Sequence, residues 1–250
     1  MQLRIQALHV GTITNVSRAR MTYDRGYADT ATAELLMFVI VGGEHPVVVD
    51  TGSASPENVR DRHGLVITRE PGQEPLAALQ AAGIDPAEVR TVINTHLHWD
   101  HCSNNDLFPN ARVLVQQSEL RYAIDPMQPN LASYERRPGM QPPWIGSLGR
   151  MQSVAGDQDV MDGIRLVHLP GHTPGSQGVL VDAGSTRYLI AGDCISWYAN
   201  WHGDERLGHI PVGSFTSLSH YMRSFAKIEQ LGCEVIPSHD PEVVARGSFG

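Results

Sequence analysis

The feature that most constrains this chain is a dense run of metal-binding side chains directly after a predicted strand. From Thr95 to His101 the sequence reads Thr-His-Leu-His-Trp-Asp-His. Side chains alternate along an extended chain, so His96 and His98 are expected on the same side. Asp100 and His101 follow where the chain turns, within reach of a second point nearby. Imidazole and carboxylate ligands suit Zn²⁺, Mn²⁺, Fe²⁺ or Co²⁺, so the segment predicts a metal site rather than a solvated polar loop.

Three further metal-competent residues lie in loops that contain glycine or proline, each directly after an apolar predicted strand. They are His172 in Leu-Pro-Gly-His-Thr-Pro-Gly, Asp193 in Ala-Gly-Asp-Cys and His239 in Pro-Ser-His-Asp. Any one of them alone is typical of a structural or surface residue. Their common position at strand ends indicates that they converge. The candidate ligands are His96, His98, Asp100, His101, His172, Asp193 and His239.

The apolar pattern predicts an α/β protein in which two sheets pack on each other with helices outside. Strands are predicted at 35–40, 46–50, 89–95, 111–116, 164–169, 178–182, 187–191 and 234–237. Helices are predicted at 74–82 and 218–231, each followed by a glycine that can end it. The second helix can pack internally or form a homodimer face, and the sequence leaves both open.

Residues 122–156 show no clear periodicity and carry five prolines among methionines and aromatic residues. A long irregular segment inside a compact domain is usually functional or disordered. We predict one domain over residues 1–250, with 122–156 as an insertion that caps the substrate.

The composition of the chain limits the kinds of binding partner and the cellular location that we expect. The formal charge is −8 and no basic run stands out, which disfavours nucleic acid. The longest apolar run, Leu35 to Val41, is too short to cross a bilayer, and the N-terminus lacks the apolar stretch of a signal peptide. The three cysteines, Cys102, Cys194 and Cys233, have no paired spacing, which favours a reduced, cytoplasmic protein.

Taken together, these motifs resemble the metallo-β-lactamase-fold superfamily, and within it most closely the N-acyl homoserine lactonase group. The resemblance covers nearly the whole chain and includes Val-Asp-Thr-Gly at 49–52 and Gly-Asp at 192–193. It implies an αβ/βα four-layer sandwich of two mixed β-sheets flanked by helices. It also implies two divalent metal ions, with Zn²⁺ as the first expectation and Fe, Mn or Co as alternatives.

The resemblance further implies how the ligands divide. His96, His98 and His172 would hold the first metal, and Asp100, His101 and His239 the second, with Asp193 bridging the two. Asp50 resembles the superfamily's buried aspartate, an outer partner of a ligand histidine. A turn residue after a strand is an equal alternative for Asp50.

A pair of metals about 3.5–4 Å apart can activate a shared water and polarise a carbonyl oxygen. Together with such a pair, the resemblance implies a hydrolase that opens a lactone by attack of a metal-activated hydroxide. It also implies that Asp100 is the proton shuttle. No Gly-x-Ser-x-Gly elbow occurs in the sequence. Lactonases of this group usually carry a tyrosine where this chain has Ser196, so Tyr198 is the candidate catalytic hydroxyl. Cys194 is interpreted as a small buried apolar residue.

A small-molecule substrate with an apolar or aromatic part is expected, because aromatic residues flank the predicted site. The candidate wall residues are Met21, Tyr23, Tyr27, Trp197, Tyr198 and Trp201. Little in the sequence suggests a strongly anionic substrate. Only Arg18, Arg20 and Arg25 form a close cationic group near the N-terminal loop.

Other functions remain open at this stage. One is a hydrolase of another ester, a thioester or a cyclic amide, similar to glyoxalase II or a β-lactamase. Another is a mononuclear-iron sulfur dioxygenase, which would need only His96, His172 and Asp193. A non-catalytic relic of the fold would be expected to lose ligands that this chain retains.

Overall fold

Strands dominate the architecture of this protein, a computed structural model of which describes residues 2–250. The strands are β1 (Arg4–Ser17), β2 (Thr30–Val41), β3 (Val47–Val49), β4 (Val66–Thr68), β5 (Thr91–Ile93), β6 (Arg112–Gln116), β7 (Met151–Val154), β8 (Gln158–Met161), β9 (Ile164–His168), β10 (Gln177–Asp182), β11 (Arg187–Ile190), β12 (Glu234–Ile236) and β13 (Ser248–Phe249).

Helices connect these strands. They are α1 (Arg18–Met21), α2 (Pro56–His63), α3 (Pro75–Ala81), α4 (Trp99–Cys102), α5 (Gln117–Ile124), α6 (Tyr198–His202), α7 (Leu218–Leu231) and α8 (Pro241–Arg246). Short 3-10 helices occur at Asn105–Leu107, Gln128–Asn130, Pro143–Arg150 and Gly192–Cys194.

The strands form two mixed sheets, as the resemblance implies. The first has the order β13-β1-β2-β3-β5-β6-β7, with β4 paired to β1. In it, β3, β5, β6 and β7 run parallel to one another. The second has the order β12-β11-β10-β9-β8 and is antiparallel except for the β11–β12 pair.

The side chains of β2 show why the layers stack as they do. Leu36, Phe38 and Ile40 join the apolar cluster that fills the space between the two sheets. The alternating residues Leu35, Met37 and Val39 join a second cluster under α2 and α3. Both faces of the strand are therefore covered, which explains its unbroken apolar sequence.

The second sheet is covered in the same way. Val179 and Val181 of β10 face the first sheet, and Leu180 between them packs with Tyr221, Phe225 and Ile228 of α7. Helix α7 begins after Ser217, whose side chain accepts a hydrogen bond from the backbone N–H of His220, and it ends at Gly232 in the left-handed conformation. The predicted bounds of α7 are confirmed. Its apolar face packs internally, and a homodimer stays a prediction.

Several elements were not predicted from the sequence. They are α1, α2, α4, α5, α6, α8, β4, β7, β8 and β13, most of them short or at a sheet edge. The proline-rich segment 122–156 contains the end of α5, two 3-10 helices and β7, which extends the first sheet. In the described part of the chain, no helix is long and apolar enough to cross a membrane.

Candidate metal centre

The predicted histidine cluster lies where β5 leaves the first sheet. His96 and His98 follow the strand in extended backbone, and the single turn of α4 then turns Asp100 and His101 toward the same point. The rings of His96 and His101 are 4.1 Å apart between centroids, and those of His96 and His98 are 4.4 Å apart. The structure therefore brings the His96–His101 segment together as the sequence predicts.

The three distant candidates come to the same place. His172 is in the turn between β9 and β10, Asp193 is in the 3-10 helix after β11, and His239 follows β12. Three groups form in which all potential ligand atoms lie within 4.8 Å of one another. They are His96 with His98 and His172; His96 with His101 and Asp193; and Asp100 with His101 and His239.

Asp193 lies between the two sets of histidines. Its Oδ2 is 3.4 Å from His172 Nε2. Its Oδ1 is 3.0 Å from His239 Nε2 and 3.3 Å from His101 Nε2. The two oxygens of one carboxylate therefore face different groups, which is the geometry needed to join two adjacent cations.

The ring nitrogens that face the centre fit a metal. Within residues 2–250, the buried Nε2 atoms of His96 and His101 have no hydrogen-bond partner. Unpaired buried polar atoms are costly, so such a group needs an explanation, and a role as metal ligands provides one. His98 and His172 also place ring nitrogens 3.1 Å apart, as two ligands of one ion would. The donor set therefore fits a divalent metal site.

The outward-facing nitrogens are fixed by partners. His172 Nδ1–H donates to the carbonyl of Ser214 (2.6 Å) and His239 Nδ1–H to that of Glu34 (2.7 Å). Such bonds fix the tautomer and leave Nε2 free to bind a cation. Backbone carbonyls distant in sequence thus orient two of the predicted ligands.

Asp50 has a defined structural role beside His101. It is buried, and its Oδ2 lies 2.8 Å from His101 Nδ1. The same carboxylate accepts hydrogen bonds from the backbone N–H and the hydroxyl of Thr95, both at 2.7 Å. The backbone of Asp50 is left-handed at φ 57°, and the residue lies directly after β3. These contacts support the outer-partner interpretation over the simple turn residue.

Burial and charge separate the pKa values within this cluster. Burial and the neighbouring histidines lower the pKa of His96 well below its usual range, and burial does the same for His98. Burial would raise the pKa of Asp193, but the charges of His239 and His101 outweigh it and hold that pKa well below 3.8. Burial would lower the pKa values of His101 and His239, but the charge of Asp193 raises them. Metal binds neutral imidazoles and ionised carboxylates, so an ion would have to displace the protons that His101 and His239 hold.

Glu119 was not among the predicted site residues, yet it supports two of the candidate metal-binding loops. Glu119, in the first turn of α5, is fully buried. Its Oε1 accepts from the backbone N–H of Leu97 (2.9 Å) and the hydroxyl of Tyr134 (2.7 Å). Its Oε2 accepts from the hydroxyl of Thr173 (2.5 Å) and the N–H of Gly175 (3.2 Å). One carboxylate therefore ties the His96–His98 turn to the His172 turn.

The metal-binding cluster forms the floor of a cavity of about 440 Å³. The floor residues in its lining are His98, Asp100, His172, Asp193 and His239. The remaining wall is mixed, with apolar side chains and a few polar or charged ones. It consists of Ile13, Asn15, Val16, Ser17, Arg20, Met21, Ala33, His63, Leu65, Trp99, Ala132, Ser133, Arg137, Ser196, Val212 and Ser214.

The position of Tyr198 does not support its predicted catalytic role. Its ring stacks on His202 at 5.7 Å, and its backbone N–H donates to Asp240 Oδ2. Tyr198 is absent from the described cavity lining, whereas Ser196 is part of it. The chain enters α6 between these two residues, which turns Tyr198 away.

The aromatic wall also differs from the prediction. Of the predicted wall residues, only Met21 lines the cavity. Tyr23 packs on Phe215, Trp201 stacks on His209 and Tyr27 is 75% exposed. The aromatic residue in the wall is Trp99, next to Asp100. Cys194 is buried in the apolar cluster under α7, as expected.

Comparison with known proteins identifies the family. The sequence pattern of the metallo-beta-lactamase superfamily matches residues 36–239, and the chain belongs to this superfamily. Its resemblance to that superfamily, stated from the motifs, is confirmed.

Similar characterised sequences are lactonases. An N-acyl homoserine lactonase AttM of Rhizobium radiobacter is 28% identical, with 97% of this chain and 95% of that protein covered. An AttM of Rhizobium johnstonii is 33% identical, but the match covers 65% of this chain and 62% of that one. For an N-acyl homoserine lactonase of a Bacillus species, at 28% identity, only 54% of the relative is spanned.

Solved structures share the fold at lower identity. An N-acyl homoserine lactone hydrolase with N-hexanoyl-L-homoserine bound at its metal centre superimposes with a TM-score of 0.79 at 18% identity, covering 98% of this chain and 97% of that one. AidC, a dizinc quorum-quenching lactonase, superimposes with a TM-score of 0.73 at 18% identity, covering 96% of this chain and 88% of that one. These likenesses establish the two-sheet sandwich.

Proposed function

We propose that this protein is a metal-dependent lactonase that opens a cyclic ester with two divalent cations. The observation that carries the proposal is the position of Asp193 between two groups of histidines at the floor of a cavity. The similarity to N-acyl homoserine lactonases supports the choice of a lactone, and quorum quenching is the corresponding biological role.

We assign the ligands as the sequence motifs imply. His96, His98 and His172 would hold one ion, Asp100, His101 and His239 the other, and Asp193 would bridge them. Zn²⁺ suits this set of imidazole and carboxylate ligands and is the proposed metal. Three free cysteines, two of them buried, suit a reducing compartment, so a cytoplasmic location is part of the proposal.

When bound, two such ions lower the pKa of a water molecule and polarise the carbonyl oxygen of the ester. The chain's own contribution begins with Asp100. Its carboxylate lines the cavity and lies 3.7 Å from His101 Nε2 and 3.9 Å from His239 Nε2. There it can take the proton released as water adds to the carbonyl carbon. As the ring C–O bond breaks, Asp100 returns that proton to the leaving alkoxide oxygen.

Ser196 is the proposed substrate-contacting hydroxyl in place of Tyr198. It is buried in the cavity wall, and its Oγ has no hydrogen-bond partner among the described residues. The Oγ atom is covered in this conformation, so its side chain would have to rotate toward the cavity to donate to a bound substrate. A serine is shorter than a tyrosine, so it leaves room for a larger group at this point of the cavity.

The segment 122–156 is proposed to cap the substrate. Ala132, Ser133 and Arg137 from this segment line the cavity. The backbone N–H of Trp99 donates to the carbonyl of Ser133 (3.0 Å), which joins the segment to the metal-binding turn. The cap would exclude water from the bound ester and strengthen the electrostatic interactions inside.

The test combines metal analysis with hydrolysis of a substrate panel. Purified protein is expected to contain about two divalent ions per chain. It is expected to open short- and long-chain acyl homoserine lactones, γ-butyrolactone or an aromatic lactone, with a β-lactam and a thioester as controls. Activity on the controls alone would assign the site to another ester, thioester or cyclic-amide substrate.

One bound iron ion with oxygen uptake and no hydrolysis would instead indicate a sulfur dioxygenase. The structure gives a reason to expect otherwise. A mononuclear site needs only His96, His172 and Asp193. It would leave the convergence of Asp100, His101 and His239 without a role.

A further inference from the structure

Two arginines in the cavity wall have no protein partner. Arg20 and Arg137 both line the cavity that contains the candidate metal ligands. Among residues 2–250, neither guanidinium has a hydrogen bond or an ion pair. Most other arginines of the described chain do have one, for example Arg62 with Glu135 and Arg25 with Asp204. The cavity wall therefore carries two positive charges that no acidic side chain of the described chain neutralises.

Arg20 is carried on a fixed piece of backbone. Its carbonyl accepts from the N–H of Gly213 (2.9 Å), and the carbonyl of Met21 accepts from the side chain of Asn200 (2.8 Å). A side chain at Gly213 would meet the backbone of Ala19 at 1.8 Å, so α1 lies directly on this loop. The next residue, Ser214, accepts from the ring of His172. The backbone of Arg20 is therefore fixed relative to the loop that carries His172.

Arg137 follows a buried part of segment 122–156. The preceding Glu135 is buried and pairs with Arg62 and with His63, at 2.5 and 2.9 Å. Tyr134 is also fully buried and donates to Glu119. These contacts fix residues 134–135, two positions before Arg137, so the two arginines come from separate segments of the chain.

The chain as a whole carries a formal charge of −8 and has one lysine, Lys227, which pairs with Asp157. Unpaired guanidinium groups at the cavity therefore produce a local positive potential on an acidic protein, which attracts anions.

We propose that the substrate of this cavity carries a carboxylate remote from the bond that is hydrolysed, and that Arg20 and Arg137 bind it. This inference rests on the proposed lactonase function and names its substrate class. Guanidinium groups match carboxylates in shape and donate paired hydrogen bonds. The apolar wall formed by Ile13, Val16, Leu65 and Val212 would contact the part of the molecule between the carboxylate and the ring.

The test uses two lactones that differ only in charge. N-succinyl homoserine lactone ends in a carboxylate, and N-succinamoyl homoserine lactone ends in a neutral amide of nearly the same shape. At low salt we expect kcat/KM to be at least about tenfold higher for the carboxylate, through a lower KM. The preference should decrease as salt is added, because the arginines are exposed.

The variants Arg20→Gln and Arg137→Gln should each reduce this preference, and the double variant should remove it, because kcat/KM should fall more for the carboxylate than for the amide. Arg18→Gln and Arg136→Gln are matched controls, since both residues are exposed neighbours outside the described cavity lining. They should retain the preference. Equal rates for the two lactones in the wild type would overturn the inference and leave the lactonase function intact.

If neither lactone is hydrolysed by metal-loaded protein, the homoserine-lactonase function is contradicted, and binding still tests the arginines. Calorimetry should then show tighter binding of the carboxylate than of the amide, with the difference lost in the double variant. Equal binding, or no binding of either compound, would overturn the inference.

Discussion

Asp193 Oδ1 lies 3.0 Å from His239 Nε2, and the contact joins two loops that are 46 residues apart in sequence. The other oxygen of the same carboxylate faces His172. Both loops follow strands of the second sheet, β11 and β12, which run parallel and therefore end at the same edge. Asp193 is thus held between the two candidate metal positions by sheet topology rather than by local sequence.

Replacing Asp193 or His98 by alanine should remove activity without unfolding the protein. We expect lactone hydrolysis to fall by at least about a thousandfold, because a carbonyl and a water are no longer held by a pair of ions. Metal analysis of the variants should show fewer than about two metal ions per chain. Asp159→Ala is the control, since that carboxylate is 75% exposed on β8. Unchanged turnover in either site variant, with normal circular dichroism, would contradict the two-metal mechanism.

Asp50→Asn should weaken metal binding through His101. The amide keeps the size of the side chain, and asparagine tolerates the left-handed backbone at this position. It cannot supply the charge that Asp50 Oδ2 places 2.8 Å from His101 Nδ1. Loss of such an outer partner typically costs about 10–100-fold in metal affinity or activity. Competition with a chelating dye measures the affinity, and equal affinities would mean that Asp50 only shapes the turn.

Glu119→Gln should destabilise the fold even when metal is removed. The carboxylate accepts four hydrogen bonds, and the amide nitrogen of glutamine would face donors instead. We expect the free energy of unfolding to fall by about 3 kcal/mol in urea titrations of chelator-treated protein. Tyr134→Phe removes one donor and should cost less, about 1 kcal/mol.

A double-mutant cycle of these two substitutions should show coupling, since the two groups share one hydrogen bond. A loss below about 0.5 kcal/mol for Glu119→Gln, as for an ordinary surface change, would show that the buried carboxylate does not hold the two loops together.

The ion pair of Asp157 and Lys227 should give a small pH dependence to stability. Burial would raise the pKa of Asp157, but its hydrogen bonds from Lys227 (2.6 Å) and from the N–H of His168 hold that pKa below 3.8. The stabilisation is therefore fully present above pH 3.8 and is lost as pH falls through the lower folded-state value. Being partly exposed, the pair should contribute under about 1 kcal/mol.

The measurement compares the wild type with Asp157→Asn in urea titrations from neutral to acidic pH. The difference in unfolding free energy should be constant near neutrality and shrink below about pH 4. Asp159→Asn, in which an exposed pair with Arg165 is lost, serves as the control. A difference that grows on acidification would contradict this sign.

The sequence by itself determined the elements and residues whose signals are local. Helix α7 was predicted at its observed bounds, because its apolar period and the glycine that ends it are read from neighbouring positions. The candidate ligands were found because histidine and aspartate have few alternatives at strand ends, and the structure brings all seven together. The two-sheet fold followed from the same strand pattern and the resemblance to the superfamily.

Only the tertiary structure decided what depends on residues far apart in the chain. The contacts of Glu119 with Leu97 and Thr173 span 22 and 54 residues, and a buried glutamate in α5 carries no local signal of them. The turn into α6 placed Ser196 in the cavity wall and Tyr198 outside it. Arg20 and Arg137 are 117 residues apart in the chain and line one cavity. Side-chain type is encoded locally, but which groups share a cavity depends on how the sheets and loops pack.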